Sequence, residues 1–123
     1  MLEGLRTAIY HVTDLAKAKA WYAKALGFEP YFDEPFYVGF RVGGYELGLD
    51  PDPAAGKPGP GGTVAYWGVP DARSAFARLL ELGAGKHTEV REVGGGIKVA
   101  TVRDPFGNIL GIIENPHFEL PKP

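Results

Sequence analysis

Cysteine is absent from the 123-residue chain, which excludes disulfides, thiol nucleophiles and cysteine-bound zinc. Glutamine is absent too, and asparagine occurs only as Asn108 and Asn115. Depletion of these thermolabile amides fits a thermophilic source. An excess of positive charge is also missing. Thirteen Lys and Arg stand against 15 Asp and Glu, a net charge of -2, so the basic stripe of a nucleic-acid-binding protein is not there and no nucleic-acid partner is expected. No apolar run is long enough to cross a bilayer, so no membrane partner is expected either. The first residues lack a basic flank followed by an apolar segment, which reads as no signal peptide and makes a cytoplasmic location the default expectation.

What the chain does have is glycine (18) and proline (11), clustered at turns and not repeated with a short period, which predicts tight loops instead of disorder. Residues 5–13 are β-branched and aromatic without a breaker and read as a strand. Asp14 suits an N-cap. Residues 15–26 then read as a helix with Ala18, Trp21, Tyr22, Ala25 and Leu26 on one face, stopped by Gly27. Strands are expected at 28–33, 36–42 and 45–49, with Pro30 confining the first to an edge and Gly43-Gly44 making a hairpin. Residues 51–62, with Pro51, Pro53, Pro58 and Pro60, read as a linker.

The pattern then starts again. A strand at 63–69 leads to a capping Asp71. A helix follows with Ala75, Phe76, Leu79, Leu80 and Leu82 on its apolar face, and Leu82-Gly83 ends it as Leu26-Gly27 ended the first. Strands are expected at 89–93, 97–103 and 109–114, joined by Gly94-Gly95-Gly96 and by the turn at 104–108. In that turn Pro105 fixes φ, and Gly107 and Asn108 tolerate the left-handed region. The run after it is apolar on both faces, as in a buried strand. Residues 115–123 read as a surface tail. This internal duplication predicts an α+β chain of two βαβββ modules, about 5–50 and 63–114, forming a curved mixed sheet with a central cleft.

Several stretches carry a family resemblance. They are Val12-Thr13-Asp14-Leu15 leading into Trp21-Tyr22 and Leu26-Gly27-Phe28, then Val69-Pro70-Asp71 to Leu82-Gly83-Ala84, then Asp104-Pro105-Phe106-Gly107-Asn108. In this order and with these gaps the chain resembles the vicinal-oxygen-chelate superfamily of glyoxalases, bleomycin- and fosfomycin-resistance proteins and extradiol dioxygenases, from about residue 5 to 114. The resemblance implies a glyoxalase-like fold, a homodimer, and a divalent metal held at four positions, one on the first and one on the last strand of each module. Aligned by the capping aspartates, the first and third positions fall on Thr7 and Val64; aligned by the terminal turn, the fourth falls on Gly111; the second falls on or near Glu46. Only Glu46 offers a good ligand, so the usual metal site is expected to be lost and no cofactor is expected.

The remaining candidates come from residue type and strand parity. His11 shares a strand face with Thr7 and reads either as an acid/base or ligand-contacting group or as a strand-end histidine bonded to nearby backbone or Asp14. Glu46 reads either as a carboxylate with a raised pKa acting as general base or ligand contact, or as a solvated residue pairing with Arg41. Arg103 could grip an anionic ligand or sit in a salt bridge with Asp104 or Glu114. Tyr37 and Tyr66 are candidate lining residues, with Trp67 packing on a helix. The triple glycine resembles a phosphate loop only superficially, because no helix follows it. The expected function is binding of a small, mostly apolar ligand without metal. The alternative is a lyase or isomerase of the glyoxalase kind using Ni, Zn, Mn or Fe.

Overall fold

The computed structural model describes residues 5–61 and 64–119. Elements follow in the order β1 (Thr7–His11), α1 (Leu15–Leu26), β2 (Phe32–Glu34), β3 (Tyr37–Val42), β4 (Tyr45–Asp50), β5 (Tyr66–Gly68), α2 (Ala72–Glu81), β6 (Gly85–Glu92), β7 (Lys98–Arg103) and β8 (Ile109–Glu114). The strands form two four-stranded mixed sheets, β1-β4-β3-β2 and β5-β8-β7-β6. In each, the first strand lies parallel to the fourth and the rest are antiparallel, so the duplicated βαβββ pattern is the observed architecture. The chain divides into two compact units. Unit one holds residues up to 61 together with 105–108, and unit two holds the remainder.

Unit one is organised by α1. Asp14 Oδ1 accepts from the Lys17 amide at 3.0 Å, and Gly27 ends the helix with φ 86°, a backbone conformation that would strain any residue with a Cβ. Only Ala18 and Tyr22 of its expected apolar face are fully buried. Trp21 is half-buried and meets Tyr22 edge-on at 4.8 Å. Tyr22 stacks on Tyr10 at 5.9 Å, which fixes the even-numbered side of β1 as the helix side. Val38, Phe40, Leu47 and Leu49 complete that core.

In unit two, Asp71 caps α2 through the Ser74 amide at 3.0 Å, and Glu114 Oε1 accepts from the Ala72 amide at 2.8 Å. The Glu114 contact puts the even-numbered side of β8 under the helix, with Leu110 and Ile112 buried there beside Ala100 and Val102. The three glycines at 94–96 form the β6–β7 hairpin loop, closed by the Val93 amide on the Ile97 carbonyl at 2.8 Å.

Two strands differ from expectation. The strand expected at 28–33 begins only at Phe32, because Pro30 has no amide to donate and restricts the residue before it. The strand expected at 89–93 runs instead from Gly85 to Glu92, with register shifts that break the alternation a sequence reading relies on. The expected strand at 63–69 is seen as Tyr66–Gly68; Thr63 lies outside the described residues. The linker is structured by Asp side chains. Asp50 Oδ1 accepts from the Asp52 amide and Asp52 Oδ1 from the Ala54 amide, both at 2.9 Å. Among the described residues no helix is long and apolar enough to cross a membrane.

Candidate functional site

The face of the first sheet turned away from α1 carries Thr7, Ile9 and His11 from β1, Glu46 and Gly48 from β4, and Tyr37, Gly39 and Arg41 from β3. Thr7 and Glu46 are direct cross-strand partners. Thr7 Oγ1 donates to Glu46 Oε1 at 2.7 Å, the Tyr37 hydroxyl donates to the same oxygen at 2.6 Å, and the Tyr31 hydroxyl donates to Oε2. The guanidinium of Arg41 lies over the Tyr31 ring, 4.6 Å from its centroid.

Two glycines make this convergence possible. A Cβ on Gly48 would collide with the Tyr37 hydroxyl and stand 2.6 Å from Cζ, so only a bare backbone lets that ring cross β4 to reach the carboxylate. A Cβ on Gly39 would stand 2.7 Å from Glu46 Oε2. Gly39 and Gly48 are partners in the ladder, so together they leave a depression in the sheet that Tyr37 and Glu46 fill.

The hydroxyls set the charge state. Burial works to raise the Glu46 pKa, but the bonds from Tyr31, Tyr37 and Thr7, with the Arg41 charge, outweigh it and hold the carboxyl below its ordinary value. The raised pKa expected for Glu46 is therefore corrected to a lowered one, and its expected pairing with Arg41 is replaced by the Arg41–Tyr31 stack. Burial first, and the bond to Glu46 second, push the Tyr37 hydroxyl up to about 12. Tyr31 is raised as well, chiefly by its bond to Glu46. The tyrosines thus stay protonated donors while the carboxylate stays ionised.

This linkage has a measurable consequence at both ends of the pH scale. A depressed carboxyl pKa stabilises the fold above the ordinary value of 4.5 and ceases to do so as pH falls through the folded value. The raised Tyr37 pKa stabilises below the ordinary 10 and stops doing so as pH rises through about 12. Glu46→Gln is expected to remove the first effect and to lessen the second, because the burial of Tyr37 remains. Its urea stability should fall less than wild type on acidification, and a late tyrosinate absorbance step near 12 should move down. Identical curves for the two proteins would refute the network.

Other candidates lie elsewhere. His11 pairs in register with Asp50, four residues along β1 from Thr7, or about 13 Å, so it does not join the Glu46 cluster. Neither the expected bond to Asp14 nor one to backbone forms at its Nδ1, which is buried without a partner, and Gly56 packs flat on the ring. Tyr66 and Arg103 belong to unit two, exposed and on the side away from α2. The salt bridge considered for Arg103 does not form, since Glu114 faces Lys98 at 3.8 Å. Tyr31 escaped the sequence reading because its ring enters from outside a strand. The one signal for it was the pair of glycines in adjacent strands.

The profile of the Glyoxalase/Bleomycin resistance protein/Dioxygenase superfamily matches residues 5–112. The chain belongs to this superfamily. A glyoxalase-related enzyme from Fulvimarina pelagi is 19% identical, with a TM-score of 0.79 over 98% of this chain and 94% of that one. A lactoylglutathione lyase from Agrobacterium tumefaciens is 21% identical, with a TM-score of 0.76 over 97% and 100%. A superfamily member from Sphaerobacter thermophilus is 23% identical, with a TM-score of 0.75 over 93% and 98%. These likenesses establish the glyoxalase fold. No curated protein matches the sequence.

The residues present do not fit the divalent metal that the superfamily implies. The Val12 amide bonds to the Asp50 carbonyl at 3.1 Å, and the Val69 amide bonds equivalently to Ile113 at 2.9 Å. This register makes Ile109 the counterpart of Glu46 and Gly48 the counterpart of Gly111. Thr7, Val64, Gly48, Gly111 and Ile109 carry no carboxylate or imidazole, and both oxygens of Glu46 are already bonded. Among the described residues no group of three His, Cys, Asp or Glu converges.

Proposed function

We propose that this superfamily member binds a small, mostly apolar molecule on the Glu46 face of the first sheet, without a divalent metal, through a hydrogen-bond donor group on the ligand. The observation that carries this reading is the direction of the three hydroxyl bonds. Each hydroxyl spends its proton on Glu46, so Thr7, Tyr31 and Tyr37 have only lone pairs left to offer. The cluster therefore calls for an N–H or O–H on the ligand. Beside it Phe32 packs against Tyr37 and Phe36 at 6.1 and 6.0 Å, and Phe36 is 66% exposed, an apolar surface for the rest of the molecule. A carboxylate held below its ordinary pKa is a weak base, which favours binding over proton abstraction.

Benzylamine is a suitable probe, with an apolar ring and one cationic donor. Saturable binding by calorimetry is expected, and Glu46→Gln should weaken it about 10- to 100-fold, the range for losing a charge-assisted bond. Unchanged affinity in that variant would refute the assignment. Elemental analysis of the purified protein tests the competing metal-dependent lyase or isomerase reading. Stoichiometric Ni, Zn, Mn or Fe would replace the metal-free one.

A further inference from the structure

The helix side of the first sheet holds a cavity in residues that take no part in the Glu46 site. α1 packs on β3 and β4, while β2 stands beyond them at the sheet edge. The space left between the first turns of α1 and the β2–β3 turn measures about 440 Å³, within the range of small-molecule pockets. Val38, 1% exposed, lies deepest in it, and Leu15, Ala16 and Pro35 add apolar walls.

One wall is polar. Lys19 follows Leu15 by one turn of α1 and shares its face, and Asp33 is the ladder partner of Val38, so Asp33 belongs to the helix side of the sheet. Glu34 borders the cavity too, although its pairing with Tyr37 sets its side chain toward the opposite face. Lys19 Nζ donates to Asp33 Oδ2 at 2.7 Å. That bond uses one of three ammonium protons and one of two carboxylate oxygens. Neither side chain has another hydrogen-bond or ion-pair partner among the described residues. The bond to Asp33 and, beyond it, the charge of Glu29 raise the Lys19 pKa, so the amine stays charged. A cationic donor and an anionic acceptor thus stand side by side at the edge of an apolar cavity. A carboxylate alone would also meet Asp33, and an ammonium alone would also meet Lys19. A ligand head carrying both charges satisfies both side chains and closes the pair into a ring of alternating charge.

We propose that this cavity binds a free α-amino acid with an aliphatic side chain, its carboxylate on Lys19, its ammonium on Asp33 and its side chain against Leu15, Pro35 and Val38. A peptide terminus brings only one of the two charges. The site lies on the opposite face of the sheet from Glu46 and does not depend on the reading given to that residue.

L-Leucine is the probe, set against 4-methylpentanoate, which lacks the amino group, and 3-methylbutylamine, which lacks the carboxylate. Leucine is expected to give saturable NMR shifts of the Leu15, Ala16 and Lys19 amides, in the millimolar range that half-exposed charges allow. Each half-analogue on the wild-type protein, and leucine on Lys19→Met or Asp33→Asn, should bind about three- to tenfold more weakly. Lys24→Ala, which removes an exposed charge from the same helix, should bind leucine as wild type does. No saturation, shifts centred on Thr7 and Glu46 instead, binding of either half-analogue as tight as that of leucine, or the same loss in Lys24→Ala would each overturn the proposal.

Discussion

Asn108→Ala is expected to destabilise the protein by about 2–4 kcal/mol, because it strips the partners from two backbone groups at once. Asn108 is 6% exposed. Its Nδ2 donates to the His11 carbonyl at 2.7 Å and its Oδ1 accepts from the Gly59 amide at 2.9 Å, so one side chain ties the end of β1 to the proline-rich linker within unit one. Alanine leaves a carbonyl and an amide unsatisfied in a partly buried setting, where each costs about 1–3 kcal/mol. Asn108→Asp should do no better. It keeps the acceptor for Gly59 but sets a second oxygen against the His11 carbonyl. Urea unfolding with an unchanged slope and a lowered midpoint is the expected readout, with loss of hydrogen-exchange protection at Gly59. A loss below about 0.5 kcal/mol, the range of an ordinary surface substitution, would show that the clamp is ornamental.

The same residue shows where sequence reading stopped. Asn108 was expected to serve the turn through its own backbone, yet every positive φ among the described residues belongs to glycine, Gly107 included, and the asparagine acts through its amide group. Tertiary partners of this kind leave no local trace. Local features were legible to the residue. Asp14 and Gly27 bracket α1 at Leu15–Leu26, and β8 runs over Ile109–Glu114 as its unbroken apolar pattern demands. Parity alone brought Thr7 and Glu46 onto one face, and the ladder pairs them directly. What parity cannot supply is the sign of a pKa shift. Burial argued for a raised Glu46, and only the hydroxyls of Tyr31, Tyr37 and Thr7, two of them remote in sequence, reverse it. The β6 strand was misjudged for a related reason. Its polar Lys-His-Thr-Glu stretch and its bulges hide the period of two, although the chain pairs along its whole length with β7.

Gly48→Ala should cost about 1–3 kcal/mol, the range for overpacking, although it adds a single methyl group and improves strand propensity. The added Cβ occupies the place of the Tyr37 hydroxyl, and neither atom has room to give: Gly48 is buried on the central strand β4, and Tyr37 is held at 2.6 Å to Glu46. Tyr37 must therefore swing out. With it go one of the three donors that keep the Glu46 carboxyl acidic and the bond that raises its own pKa. The structural loss and the functional loss are thus one event. Benzylamine affinity should fall along with stability, and the tyrosinate step near 12 should merge with the ordinary phenols. Gly68→Ala is the matched control, since nothing lies within 4 Å of a Cβ there, and it should be close to neutral. Truncating the obstructing ring in Gly48→Ala/Tyr37→Ala should cost markedly less than the sum of the two single changes, because the second removes the collision the first creates. Additive costs in that cycle would mean that Tyr37 does not lie across Gly48, and the hydroxyl cage around Glu46 would lose its physical basis.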